Sequence, residues 1–177
     1  IMTVLITLNN NSKGVNIFFN GWRAPCHIGH GGLTNNKKEG DQCTPIGVWA
    51  IRRVFYRPDR DQKPTTKLPT TRITEDMGWS DDPRDPDNYN RLVSLPYFYS
   101  HEKLWRDDSL YDICVELGYN DSPPIVGKGS AIFMHLSKKD GSPTLGCVAL
   151  DKNDLLYLLQ SVVPGDMVEI KNRILGP

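Results

Sequence analysis

Cys147 and His135 are the residue types in this sequence best suited to covalent chemistry, because a thiolate is a strong nucleophile and an imidazole takes up a proton near neutral pH. They lie in Ile132-Phe133-Met134-His135-Leu136-Ser137 and, across a turn, in Pro143-Thr144-Leu145-Gly146-Cys147-Val148-Ala149-Leu150. The pattern predicts a histidine at a strand end facing a cysteine just ahead of a helix. There the helix dipole and a neighbouring imidazolium would lower the thiol pKa below its free value of about 8.5. Gly146 lets another chain segment approach closely, and the N–H groups around Gly146 and Cys147 suit the oxyanion of a tetrahedral intermediate. On spacing alone, a core histidine and a buried thiol in adjacent strands are the more economical account of the pair.

Other clusters compete for attention. Cys26, His27, His30 and Cys43 are potential zinc ligands, but their order and spacing match no common finger or ribbon, so no metal is expected. A Cys26–Cys43 bridge stays open, and Cys114 reads as a buried free thiol in an apolar run. The acidic stretch from Asp81 to Asn88 lacks the glycine of a calcium loop and reads as a solvated loop, with a calcium site or a wall for a substrate amine as alternatives. Trp79, Tyr89, Asn90, His101 and Trp105 are candidates to line a cleft, and packing of a long loop explains them as well. Gly29, Gly31 and Gly32 open onto no amphipathic helix, which excludes a dinucleotide fingerprint, and no cofactor is expected.

These residues must be positioned by one folded unit, residues 1–177, since a chain of 177 residues can bury roughly 70% of its unfolded surface around a single core. Strands are read at Val4–Leu8 and Val15–Phe19 around a turn at Asn9–Gly14, at Val48–Tyr56, Tyr111–Tyr119 and Ser130–Ser137, and at Asp166–Asn172. One helix is read from about Asn153 to Val162, with Asp151 as its N-cap and Pro164-Gly165 as its stop. The fold class is therefore mainly β with minor α, two sheets packed as a sandwich or open barrel. Prolines and charges between about residues 58 and 100 predict a long irregular insertion serving as a lid or cleft wall. Lys plus Arg and Asp plus Glu each total 21, so no net field favours nucleic acid, and no apolar run is long enough to span a membrane. A monomer is expected. The opening Ile1-Met2-Thr3-Val4-Leu5 lacks the basic and apolar segments of a secretory signal.

Two separated motifs carry a resemblance. Thr144-Leu145-Gly146-Cys147-Val148, with the upstream histidine, resembles the S/T-x-G-C-I/V-R signature of the YkuD family of L,D-transpeptidases. Lys38-Glu39-Gly40-Asp41 and Thr44-Pro45-Ile46-Gly47-Val48-Trp49 resemble the K-x-E-G-D and Thr-Pro-x-Gly-x-aromatic segments of that family's compact branch. The resemblance implies a cysteine acyltransferase of peptidoglycan stem peptides that releases D-alanine and passes the acyl group to an amine. Cys147 would be the nucleophile, His135 the base, Gly146 an oxyanion-loop residue and Thr144 a substrate contact, with a backbone carbonyl near Leu136 orienting the imidazole. L,D-carboxypeptidation by the same cysteine and a non-catalytic cell-wall binding module are the alternatives. Ala149 stands where the family usually has arginine, and Leu145 where many members have histidine, which leaves a substrate carboxylate to Arg23, Lys37, Lys38 or Arg91. The resemblance implies the cell envelope or periplasm; without a signal, the cytoplasm is the alternative.

Overall fold

The computed structural model describes residues 1–9 and 14–175. In chain order the elements are β1 (Thr3–Asn9), β2 (Val15–Phe19), β3 (Trp22–Cys26), β4 (Leu33–Thr34), β5 (Thr44–Pro45), β6 (Gly47–Tyr56), β7 (Thr70–Arg72), β8 (Met77–Ser80), β9 (Leu92–Ser94), β10 (His101–Lys103), β11 (Ile113–Leu117), β12 (Phe133–Leu136), β13 (Val148–Leu150), α1 (Lys152–Ser161) and β14 (Met167–Leu175). The expected first hairpin is present; residues 10–13 of its turn lie outside the described residues.

The main sheet runs β13-β12-β11-β6-β14-β1-β2-β3, with β7 added beside β6. It curls until its two edges meet, where His27 and Ala149 exchange backbone hydrogen bonds of 2.8 Å. The result is a nearly closed, mixed barrel, which removes exposed strand edges at the place where the site lies. Period-two patterning sets the register: β1 runs parallel to β14 with Val4 opposite Val168 and Ile6 opposite Ile170, and all four side chains are buried. Helix α1 starts one residue earlier than expected and buries Leu155, Leu158 and Leu159, the i, i+3, i+4 face, in the same core. Each such leucine contributes about 2 kcal/mol of burial.

A second core joins Phe55, Ile73, Trp79, Leu104, Tyr111, Cys114, Phe133 and Cys147. Trp79 packs edge-on to Phe133 at 5.1 Å, so this core is built largely from aromatic edges and faces.

The stretch expected to be an irregular insertion carries regular structure. Strand β7 pairs in parallel with β6, and β10-β8-β9 form a small antiparallel sheet. Strands of three or four residues are too short to show a periodic pattern among so many prolines and charges. The acidic loop fastens itself: Asp82 accepts from Arg84 and from the Ser100 N–H, and Asp85 accepts from Tyr97 and Asn88. The hydrogen bonds from Arg84, and then those from backbone N–H groups, hold the Asp82 carboxyl well below the usual range. All four cysteines are free thiols. No helix among the described residues is long and apolar enough to cross a membrane.

Candidate active site

Strand β13 lies parallel to β12 with Met134 opposite Val148 and His135 opposite Ala149. Cys147, one residue before β13, is thereby level with Phe133, whose N–H donates to Cys147 Sγ at 3.4 Å. The thiol donates to the Ala131 carbonyl at 3.1 Å, and Cys147 is only 8% exposed. Burial, and next the charge of Glu102, push the thiol up to about 12, against the Phe133 N–H and the charges of Lys37 and Arg106. The helix dipole does not help as expected: β13 intervenes, and α1 begins only at Lys152.

His135 is 5% exposed, and its ring packs against that of Tyr111 with centroids 5.3 Å apart. Its Nδ1–H donates to the Leu136 carbonyl at 2.9 Å, which fixes the tautomer and leaves Nε2 as the basic nitrogen. Burial lowers the imidazole to about 4, although the Leu136 carbonyl opposes the shift. At neutral pH the resting pair is therefore a neutral thiol and a neutral imidazole, in place of the imidazolium–thiolate pair expected from the residue types.

The Gly146-Cys147 turn is held by three hydrogen bonds with two threonines. Thr144 Oγ1 donates to the Cys147 carbonyl at 2.6 Å and accepts the Gly146 N–H at 3.0 Å. Thr44, from the Thr-Pro-x-Gly segment, donates to the Gly146 carbonyl at 2.7 Å and accepts the Gly29 N–H at 2.9 Å. Gly146 has φ of 139°, a conformation that favours glycine. The Gly146 N–H is thus already engaged and is not free for an oxyanion.

A cavity of about 500 Å³ opens on Cys147. His135, Thr144, Gly146 and His101 line it, together with Lys37, Glu102, Arg106 and Tyr111. Of the four cations considered for a substrate carboxylate, Lys37 lines this cavity, whereas Arg91 faces a different depression. Trp79, Tyr89 and Asn90 stand outside the lining. Trp79 is buried and donates to Asn90, and the buried Tyr89 donates to Glu39 at 2.7 Å. Asn90 uses its whole amide internally: Oδ1 accepts from Trp79 Nε1 at 2.9 Å and from the Ala131 N–H at 3.0 Å, while Nδ2 donates to the Tyr119 and Asn120 carbonyls. Ala131 sits at φ of 53°, rare for a residue with a β-carbon, and its carbonyl is the acceptor of the Cys147 thiol. Asn90 is therefore placed to hold the strained peptide on which the thiol rests. Asn90→Ala should cost about 3–4 kcal/mol in urea denaturation, because it leaves several buried partners unsatisfied; a loss under about 1 kcal/mol would contradict that account.

Glu102, Arg106, Tyr111 and Ala131 carry no motif that marks them in the sequence. Tyr111 donates to Glu102, Arg106 pairs with Glu102 at 3.7 Å, and the Arg106 guanidinium lies 5.0 Å above the Tyr111 ring. Burial raises the Glu102 carboxyl, with the nearby charges of Asp81 and Glu39 adding to the shift. Among the described residues no group of three or more His, Cys, Asp or Glu side chains is placed to hold a metal ion.

The YkuD model, described as the L,D-transpeptidase catalytic domain, matches residues 5–170. The chain belongs to the YkuD family. A comparison with curated proteins returns no match. Among solved structures, this YkuD chain is similar to the helical cell shape determining protein Pgp2 from Campylobacter jejuni, at 16% identity and a TM-score of 0.43, covering 97% of this chain and 48% of that one. An L,D-transpeptidase from Mycobacterium smegmatis matches at 12% identity and a TM-score of 0.42, covering 96% and 59%. L,D-transpeptidase 3 from Mycobacterium tuberculosis matches at 13% identity and 0.43, covering 97% and 61%. The YkuD chain thus spans about half to three-fifths of the length of these proteins. Two residues after Cys147, where the family motif carries arginine, Ala149 is 1% exposed, lines the cavity and exchanges backbone hydrogen bonds with His27 across the barrel seam.

Proposed function

We propose that this YkuD domain is an L,D-transpeptidase: it transfers the acyl group of a peptidoglycan stem peptide through a thioester on Cys147. The observation that carries this reading is that Cys147, just ahead of β13, and His135, two residues further along the neighbouring parallel strand β12, open on one cavity, with the His135 tautomer fixed for proton uptake at Nε2. Cys147 Sγ attacks the carbonyl carbon ahead of the terminal D-alanine as its proton passes to His135 Nε2. The carbon–nitrogen bond then breaks, and the proton goes to the departing amine of D-alanine. An acceptor amine attacks the thioester, a new amide forms, and sulfur leaves and regains a proton through His135.

Peptidoglycan as substrate puts the site of action in the cell envelope.

Intact-mass measurement after exposure to a tetrapeptide stem and, separately, to a carbapenem tests the reading. A covalent adduct is expected on the wild-type protein and none on Cys147→Ala. D-Alanine release without a cross-linked product would assign the hydrolytic alternative. Muropeptide binding with both proteins unmodified would leave only a binding module.

A further inference from the structure

Lys37 is an unusual lysine. Its side chain is 5% exposed, and its stem packs against Gly129, where a β-carbon would lie 3.0 Å from Lys37 Cγ. Such burial is rare for lysine without a strong partner. Two of its three ammonium hydrogens have acceptors: the Asp41 carboxylate and, at 3.1 Å, the Lys38 carbonyl. Asp41 is committed to this role, since it also accepts from the Lys38 and Cys43 N–H groups. Burial opposes ionisation of that carboxyl, yet the bonds from Lys37 and the two N–H groups hold it below the ordinary range.

The third hydrogen of Lys37 meets no acceptor among the described residues. Its nitrogen lies beside the Gly-Cys turn. A β-carbon built on Gly146 would come within 3.6 Å of Lys37 Nζ, and Lys37 lines the same cavity as Cys147. The two other cations of the wall differ. Arg106 is spent on Asp108 and Glu102, and Lys138 is exposed.

A thiolate adding to a carbonyl puts a full negative charge on the carbonyl oxygen, and that charge must meet donors already in place. The Gly146 N–H, the donor expected from the Gly-Cys turn, is taken by Thr144. The Cys147 N–H has no acceptor among the described residues, so one backbone donor remains. We infer that Lys37 supplies the missing donor, its ammonium joining the Cys147 N–H to bind the oxyanion of the tetrahedral intermediate, which makes it a catalytic residue of the acyl transfer proposed above. Asp41 and the Lys38 carbonyl position that ammonium. A positive charge beside the Gly-Cys turn fits the presence of Lys37 among the groups that ease ionisation of Cys147.

The test separates oxyanion formation from thiol ionisation. Acylation by a carbapenem passes through an oxyanion, whereas alkylation by iodoacetamide needs the thiolate but forms none. Both are followed by intact mass on wild type, Lys37→Gln and Lys37→Arg. In Lys37→Gln, acylation should fall roughly 100-fold and alkylation less than about tenfold. Lys37→Arg keeps a charged donor in a bulkier side chain and should acylate within about tenfold of wild type. Equal losses in acylation and alkylation, or Lys37→Arg as slow as Lys37→Gln, overturn the inference. If wild type is alkylated but never acylated, the acyl-transfer reading falls and the role of Lys37 with it.

Discussion

Replacing His135 by glutamine should slow acylation of Cys147 by about 10³-fold, within the range that a positioned general base supplies. The reason lies in the resting state. With the thiol pushed up to about 12 and the imidazole down to about 4, a thiolate–imidazolium pair is not stored in the folded protein. The proton must move to Nε2 during attack, and glutamine has no basic nitrogen to receive it. The same burial makes a second, independent prediction. Unfolded His135 titrates near 6.5 and folded His135 near 4, so as pH falls the unfolded chain is protonated first and unfolding is favoured. Stability associated with this residue is fully present above about 6.5 and should be lost progressively down to about 4, amounting to about 3 kcal/mol. Denaturant titrations across that window should show a steeper acid loss in wild type than in His135→Gln. Parallel pH slopes would show that His135 is not held neutral by burial.

Why so much of this site could be read from residue order, and some could not, follows from which interactions are local. Cys147, Gly146 and Thr144 fall within four consecutive residues, and their bonds are made within that turn, so the motif contains its own geometry. The orienting acceptor for His135 is the next residue's carbonyl, again local. Long strands with alternating burial, such as β1 and β14, announce themselves. Trp79, Tyr89 and Asn90 were legible as a cluster of capable side chains, but no local pattern distinguishes an amide that faces substrate from one that braces the Ala131 peptide 41 residues away. The charge state of Cys147 failed for a related reason. Residue type points to a lowered thiol pKa, whereas the dominant effect is desolvation, which depends on how Phe133, Tyr111 and Ala131 close around it. The short strands β8, β9 and β10, three or four residues each, were lost among prolines because pairing partners rather than propensity hold them.

Gly29→Ala should be among the most damaging single substitutions in the protein, even though position 29 contributes no side chain to the cavity. A β-carbon there would sit 2.2 Å from the Gln42 carbonyl oxygen and 3.0 Å from the Gly146 Cα, and both obstacles are backbone, so neither yields by a rotamer change. The segment carrying Thr44, the Gly-Cys turn and the loop after β3 must separate by an ångström or more. That separation breaks the relay in which the Gly29 N–H donates to Thr44 and Thr44 donates to the Gly146 carbonyl. It also threatens the neighbouring seam, where the His30 N–H donates to the Thr144 carbonyl and the Thr144 N–H to the Ile28 carbonyl. Overpacking against backbone together with several lost hydrogen bonds places the expected destabilisation above about 4 kcal/mol. In whatever fraction remains folded, carbapenem acylation should fall by more than about 100-fold, because displacement of about 1 Å at a reaction centre has that cost. Gly29→Ala with a wild-type melting temperature and wild-type acylation rate would mean that the close approach of the three segments is not what holds Cys147 in place. Gly29, in a glycine cluster that fits no nucleotide-binding pattern, is on this account the reason that two motifs far apart in sequence share one turn: the Thr-Pro-x-Gly strand reaches the Gly146-Cys147 turn because nothing projects from Gly29 between them.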